Sequence, residues 1–226
     1  MLYEDTDASR RIAMILIDNA VELIMKTYLT LPARVTSIHI SRKERDQYCA
    51  TFPTLLDGIE AVAGDKIIGL ELGEFEWFHR LRNELYHQGN GLTAVKRNVE
   101  VYAELAEKLF QSLFECELNI ETPETSNTKL IGQFFEHWID IERKITEMAG
   151  NSNRSPLAAA KMLRDEGKIS NLDYEDFLHL KKVRNELVHG EAEPEEMLRP
   201  ENMKRVVSLS GKLAEYFGAF MRGLIQ

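Results

Sequence analysis

The sequence predicts an all-α protein built as tandem duplicated helical bundles of four to five helices each. Three observations predict it. Apolar residues recur at intervals of three and four along most of the chain, the period of a helix that buries one face. The hexapeptide Arg-Asn-Glu-Leu-x-His is written twice, as RNELYH from Arg82 to His87 and as RNELVH from Arg184 to His189. Between the copies, LNIETPETSNTK from Leu118 to Lys129 is polar and carries Pro123, the composition of a connector.

The first unit, residues 1–120, begins with a helix over about 8 to 29, followed by short helices within about 41 to 64. ARVTSIHI, Ala33 to Ile40, is read as an extended segment or as a loop. The motif helix covers about 70 to 88, and a closing helix over about 94 to 117 is carried by Val95, Val99, Tyr102, Leu105, Leu109 and Leu113. The second unit, residues 126–226, repeats the order over about 127 to 149, 156 to 166, 171 to 189 and 201 to 224. Its last helix is carried by Val206, Leu209, Leu213, Tyr216, Phe217, Phe220 and Leu224. Thr93 and Pro200 are start signals for the closing helices. Gly89 and Gly190 are stops, because glycine accepts the left-handed conformation that ends many helices.

Bulk properties narrow the function. With 226 residues, 44% hydrophobic and 29% charged, the chain is long enough for one large core or two smaller ones. A net charge of -9 argues against gripping long nucleic acid across the whole surface, which needs many phosphate contacts, and leaves room for a small basic site. The apolar stretch Ile12 to Leu29 is broken by Asp18, Asn19, Glu22 and Lys26, so neither a spanning helix nor a signal peptide is expected. Cys49 and Cys116 stand far apart without CxxC spacing, which suits a reducing, cytoplasmic setting. His39, His79, His137 and His179 lack metal-ligand spacing and read as packing or surface residues, so no metal and no cofactor are expected. GNGLTA, Gly89 to Ala94, formally matches GxGxxA, but it follows a helix and reads as a helix stop and the next start. EAEPEE, Glu191 to Glu196, reads as a solvated loop or a screen at the site entrance.

The hexapeptide carries the chemistry. Asn83 and His87 are four apart and share a helix face, as do Asn185 and His189, and the long side chains of Arg82 and Arg184 can curl back toward the histidines. A histidine in the last turn feels the negative end of the helix dipole and titrates near neutrality, so it can give or take a proton. Arginine adds a permanent planar cation suited to phosphate. Together these residues form a set for phosphodiester chemistry. Glu142 falls within the stripe of Ile131, Phe134, Phe135, Trp138 and Ile145, and Glu22 lies among Ile15, Leu16, Asn19 and Leu23. A buried carboxylate needs a partner, so Glu22 is paired with Arg82 and Glu142 with Arg184, with Asp18 as a second candidate in the first unit. Arg80, Lys96 and Arg97, mirrored by Lys181, Lys182, Lys204 and Arg205, could track a nucleic-acid backbone. The rival account of the flanking charges is surface pairing, Arg80 with Glu84 and Lys182 with Glu186.

An arginine, a polar residue beside it and a histidine near the end of a bundle helix resemble the HEPN superfamily. The resemblance extends to ASRRIAMILIDNAVELIMK, FHRLRNELYHQGNGLTAVKRN and LKKVRNELVHG, and so covers most of both halves. It implies an all-helical fold and, in many members, an endoribonuclease of toxin, antiviral-defence or RNA-processing systems that works without metal. It also implies that Arg82, Asn83 and His87 meet Arg184, Asn185 and His189 in one composite site, within a chain as a pseudo-dimer or between two chains. The implied reaction has histidine deprotonating the ribose 2'-OH and arginine stabilising charge at phosphorus, leaving a 2',3'-cyclic phosphate. The expected partners are RNA and a cognate inhibitor or defence-system protein. Some relatives carry a modified tyrosine two residues after the histidine; here those positions are Gly89 and Glu191, a departure that argues against that control. Two rival expectations remain, a catalytically silent HEPN-like module that binds RNA, a nucleotide or a protein, and a plain helical scaffold.

Overall fold

The computed structural model describes residues 5–87, 93–118, 126–150, 154–190 and 192–224. Gly89, Glu191 and most of the expected connector lie outside the described residues, as do the side chains of His87 and Leu224. Among the described residues every regular element is a helix. The chain divides into two compact units, Met1–Pro123 and Glu124–Gln226.

In the first unit α1 (Asp7–Thr30) starts where the Thr6 side chain accepts the backbone N–H of Ser9, and it ends at Leu31, held extended before Pro32. The segment read as extended or loop begins with a single helical turn, α2 (Ala33–Thr36), closed by Ser37 in the left-handed region, and runs on as a loop through Ile40. Capping boxes start both α3 (Arg42–Tyr48), through Ser41 and Glu44, and α4 (Phe52–Ala63), through Thr51 and Thr54. Gly58 lets these helices approach closely, since a Cβ there would sit 2.7 Å from Cγ of Tyr48. The motif helix α5 (Leu72–His87) and the closing helix α6 (Lys96–Phe114) follow. Thr93 does not cap α6; Val95 precedes its first residue and contributes no side-chain bond. α1 packs against α4, α5 and α6 around Met14, Val21, Met25, Phe75, Phe78, Tyr102 and Leu105.

In the second unit α7 (Ser126–Met148) packs against α8 (Pro156–Asp165) and α11 (Pro200–Leu224), and α9 (Asn171–His189) packs against α8, α11 and the short α10 (Pro194–Met197). Trp138 of α7 and Phe177 of α9 stack in its core, ring centroids 5.4 Å apart. EAEPEE is therefore not wholly a solvated loop: Pro194 is buried and opens α10, because proline suits the first turn of a helix. No helix of the described residues is long and apolar enough to cross a membrane.

The entry of α9 is tied by Asp173, whose buried carboxylate accepts from Ser170 Oγ at 2.6 Å, Lys212 Nζ at 2.7 Å and Tyr216 Oη at 2.8 Å. Burial pushes this carboxyl up, but the Lys212 ammonium and the two hydroxyls outweigh it and hold the carboxyl below its ordinary value of 3.8. A folded-state pKa below the unfolded one gives stability that is fully present above pH 3.8 and is lost as pH falls through the lower folded value. Asp173→Asn is therefore expected to be less stable than the native chain at pH 7, with the gap narrowing below about pH 4. Denaturation midpoints measured from pH 7 to pH 2 check this, and a gap that does not change with pH would exclude it.

Candidate functional site

The first unit gathers four of its helices at Asp18. This residue lies one turn from both Met14 and Val21 on the core stripe of α1 and is 0% exposed. A buried carboxylate must be compensated. Tyr102 of α6 donates its hydroxyl to Asp18 Oδ1 at 2.9 Å, and His79 Nδ1 of α5 lies 3.1 Å from both carboxylate oxygens. Phe52 of α4 stacks on the His79 ring, centroids 3.9 Å apart and planes within 4° of parallel. Burial first, and the Asp18 carboxylate second, raise the Tyr102 phenol far above its usual range, so Tyr102 stays a donor at any ordinary pH.

Arg82 joins this node. Its Nε stands 3.0 Å from Asp18 Oδ2 as an ion contact without the alignment of a hydrogen bond. Nη1 donates to Asn83 Oδ1 at 2.8 Å and Nη2 to Asn19 Oδ1 at 3.0 Å. The side chain remains 20% exposed, so one edge of the guanidinium faces the buried carboxylate and the other meets amides near the surface. The expected Glu22–Arg82 pair is not formed. Glu22 is held by Lys26 on its own helix at 2.5 Å, and Asp18, one turn earlier, supplies the carboxylate for Arg82. The reason is helical phase: Asp18 shares the buried face with Met14, Val21 and Met25, whereas Glu22 lies at the edge of that face.

The stretch after the motif is tied back to the start of α1. Arg10 Nε donates to the Ala94 carbonyl at 2.6 Å, and the Ala94 N–H donates to Asp7 Oδ1 at 2.9 Å. The Arg11 side chain and the Ala94 N–H hold the Asp7 carboxyl below its ordinary value.

In the second unit the same hexapeptide is arranged differently. Arg184 is 1% exposed and ranks with Trp138 and Phe177 among the largest fully buried side chains. Glu142 is also buried, one turn beyond Trp138 on α7, as its place in the apolar stripe requires. Asn185 and His189 are exposed. Gly190 does end α9, but with φ -74 and ψ 179 it is extended and not left-handed. Glycine is needed there for space: a Cβ would lie 2.5 Å from the Glu186 carbonyl oxygen.

The flanking basic residues do not form one exposed track. Arg97 is buried and donates to Asn98 Oδ1 at 3.1 Å, so its proposed place on an RNA-binding surface is corrected to a core position. Lys96 lies 3.7 Å from Glu100 and 3.9 Å from Asp5, and Arg205 pairs with Asp176 at 2.5 Å. Arg80, Lys182 and Lys204 are exposed, and Lys181 is half-buried. A cleft of about 570 Å³ in the first unit, lined by Tyr28, His39, Glu60, Asp65 and Lys66 among others, includes no motif residue. Among the described residues no three His, Cys, Asp or Glu side chains gather as a metal ion would need.

No family model, curated protein or solved structure matches the chain. Its site must therefore be read from its own geometry. His79 and Tyr102 were outside the expected site residues and are joined to it through Asp18; the available signals were that His79 lies one turn before Arg82 and that Asp18 keeps step with Met14 and Val21. Asn19, which the sequence presents as a polar break in the first apolar stretch and a neighbour of Glu22, reaches the motif arginine directly.

Proposed function

We propose that the chain is a tandem duplication of a HEPN-like bundle and an endoribonuclease of the toxin or defence type. It cuts RNA through the 2'-OH without needing a metal ion. His87 and His189 are the residues assigned to proton transfer, and Arg82 and Arg184 are the motif cations. In the reaction the ribose 2'-oxygen loses its proton to histidine and bonds to the adjacent phosphorus. The bond from phosphorus to the 5'-oxygen breaks, and that oxygen takes up a proton. One fragment ends in a 2',3'-cyclic phosphate and the other in a 5'-hydroxyl.

The observation that carries this reading is the state of Arg82. Its guanidinium is anchored by a buried carboxylate and two amide oxygens, yet 20% of the side chain reaches solvent at the end of the motif helix. A fixed, accessible cation is what stabilising a phosphorane requires. The burial of Arg184 favours a second reading, in which the second motif copy supplies no accessible cation and the chain binds RNA without cutting it.

The test is incubation of the purified protein with mixed RNA in EDTA, with DNA as the control and His87→Ala and His189→Ala in parallel. Cleavage of RNA alone, leaving cyclic phosphate ends and lost in His87→Ala, is the expected result. RNA that is bound but stays intact removes the nuclease and leaves the binding module. Neither binding nor cleavage removes both.

A further inference from the structure

We infer that the first unit carries a receptor for an RNA phosphodiester and that Asn19 of α1 is one of its three arms, beside Arg82 and Asn83. The inference rests on the reading of the motif as an RNA site and adds a ligand-contacting residue from outside the hexapeptide.

The chemistry of the amides sets the geometry. A guanidinium only donates, so the amide atoms that meet Arg82 Nη1 and Nη2 must be oxygens. An asparagine whose oxygen is turned to one side presents its NH2 group to the other. Asn19 and Asn83 each spend their oxygen on Arg82 and so direct their nitrogen donors away from it. Asn19 is exposed and Asn83 half-buried, so the two NH2 groups flank the accessible edge of a cation. Each outer guanidinium nitrogen carries two N–H groups, and one amide oxygen takes only one of them. The assembled surface is a cation framed by amide donors, complementary to the non-bridging oxygens of a phosphodiester. The buried Asp18 holds the arginine from behind, which keeps the receptor in place before a ligand arrives. Burial of Arg184 at 1% exposure withholds its guanidinium from such a contact, and this assigns the receptor to the first unit.

The test uses a fluorescein-labelled oligoribonucleotide methylated at every 2'-oxygen, which cannot be cut by 2'-OH attack, with affinity read by anisotropy. Asn19→Ala is expected to weaken binding roughly tenfold, the worth of a hydrogen bond to a charged partner. Asn19→Asp is the discriminating variant. Its carboxylate still accepts from Arg82 Nη2 and keeps the arginine in place, but it loses the NH2 donors and adds charge that repels phosphate. Binding weaker in Asn19→Asp than in Asn19→Ala, with unchanged melting temperatures, supports the receptor. Native-like or tighter binding in Asn19→Asp would mean that Asn19 acts only through Arg82, and the inference falls. Failure of the native protein to bind the probe overturns it as well. Binding of the methylated strand without cleavage of the unmethylated one removes the nuclease reading and leaves the receptor standing.

Discussion

Asp18→Ala is expected to destabilise the first unit by about 3–5 kcal/mol, read as the change in unfolding free energy in urea. The native carboxylate is fully buried and is met by the Tyr102 hydroxyl, the His79 ring and Arg82 Nε. Removing it leaves three donors facing one another where the carboxylate stood. Their desolvation cost is still present, and its compensation is gone. Tyr102→Phe deletes a single neutral donor and should cost only about 1 kcal/mol. The difference between the two variants measures how much of the node depends on charge. A loss below about 1 kcal/mol for Asp18→Ala would show that the four helices do not depend on this carboxylate. Freed of its anchor, Arg82 should also bind RNA less well, which ties the fold of the unit to the proposed receptor.

Arg184→Ala should cost the second unit a similar amount, about 3–5 kcal/mol, and clearly more than Arg82→Ala costs the first. The two arginines occupy the same place in the hexapeptide, so sequence alone would rank them equal. Arg184 is 1% exposed and Arg82 is 20% exposed. Truncating a fully buried guanidinium opens a cavity and strands the groups that compensated its charge, whereas water can fill in around a partly exposed one. Arg184→Met, which keeps most of the volume, should recover part of the loss. The protein contains two tryptophans, and Trp138 is the one in the core of the second unit, stacked on Phe177. A Trp77→Phe background therefore lets fluorescence report unfolding of the second unit. Equal losses for Arg82→Ala and Arg184→Ala would contradict the difference in burial.

The helices were largely legible in the sequence because their signals are local. The helix expected over about 171 to 189 is α9, Asn171–His189, started by a Ser170 cap and stopped at Gly190. Both signals lie within one turn of the boundary they set. The departures from this pattern are local conflicts. EAEPEE reads as charged loop, but Pro194 can both open a short helix and bury its ring. Thr93 is a good cap by type, yet α6 begins at Lys96, after the Ala94 backbone has bonded to Asp7 and Arg10. The motif stands out in the sequence for a different reason: five of its six positions carry the same residue in both copies, and no helix-forming preference requires that.

The partners of those residues were not legible. Asp18 and Glu22 are four apart on one helix; keeping step with Met14 and Val21 marks Asp18 as the more buried of the two, but it cannot say which residues of other helices meet it. That choice follows from where α5 and α6 cross α1, which brings His79, Arg82 and Tyr102 to Asp18 and leaves Glu22 with Lys26. The unequal exposure of Arg82 and Arg184 has the same origin. α5 packs against α1, α4 and α6, while α9 packs against α8, α11 and the short α10 and stacks Phe177 on Trp138 of α7, so the two copies of the hexapeptide have different residues around them. Helical periodicity is a property of adjacent residues and can be read along the chain. The burial of a charge depends on residues tens of positions away, and it exists only once those helices have packed.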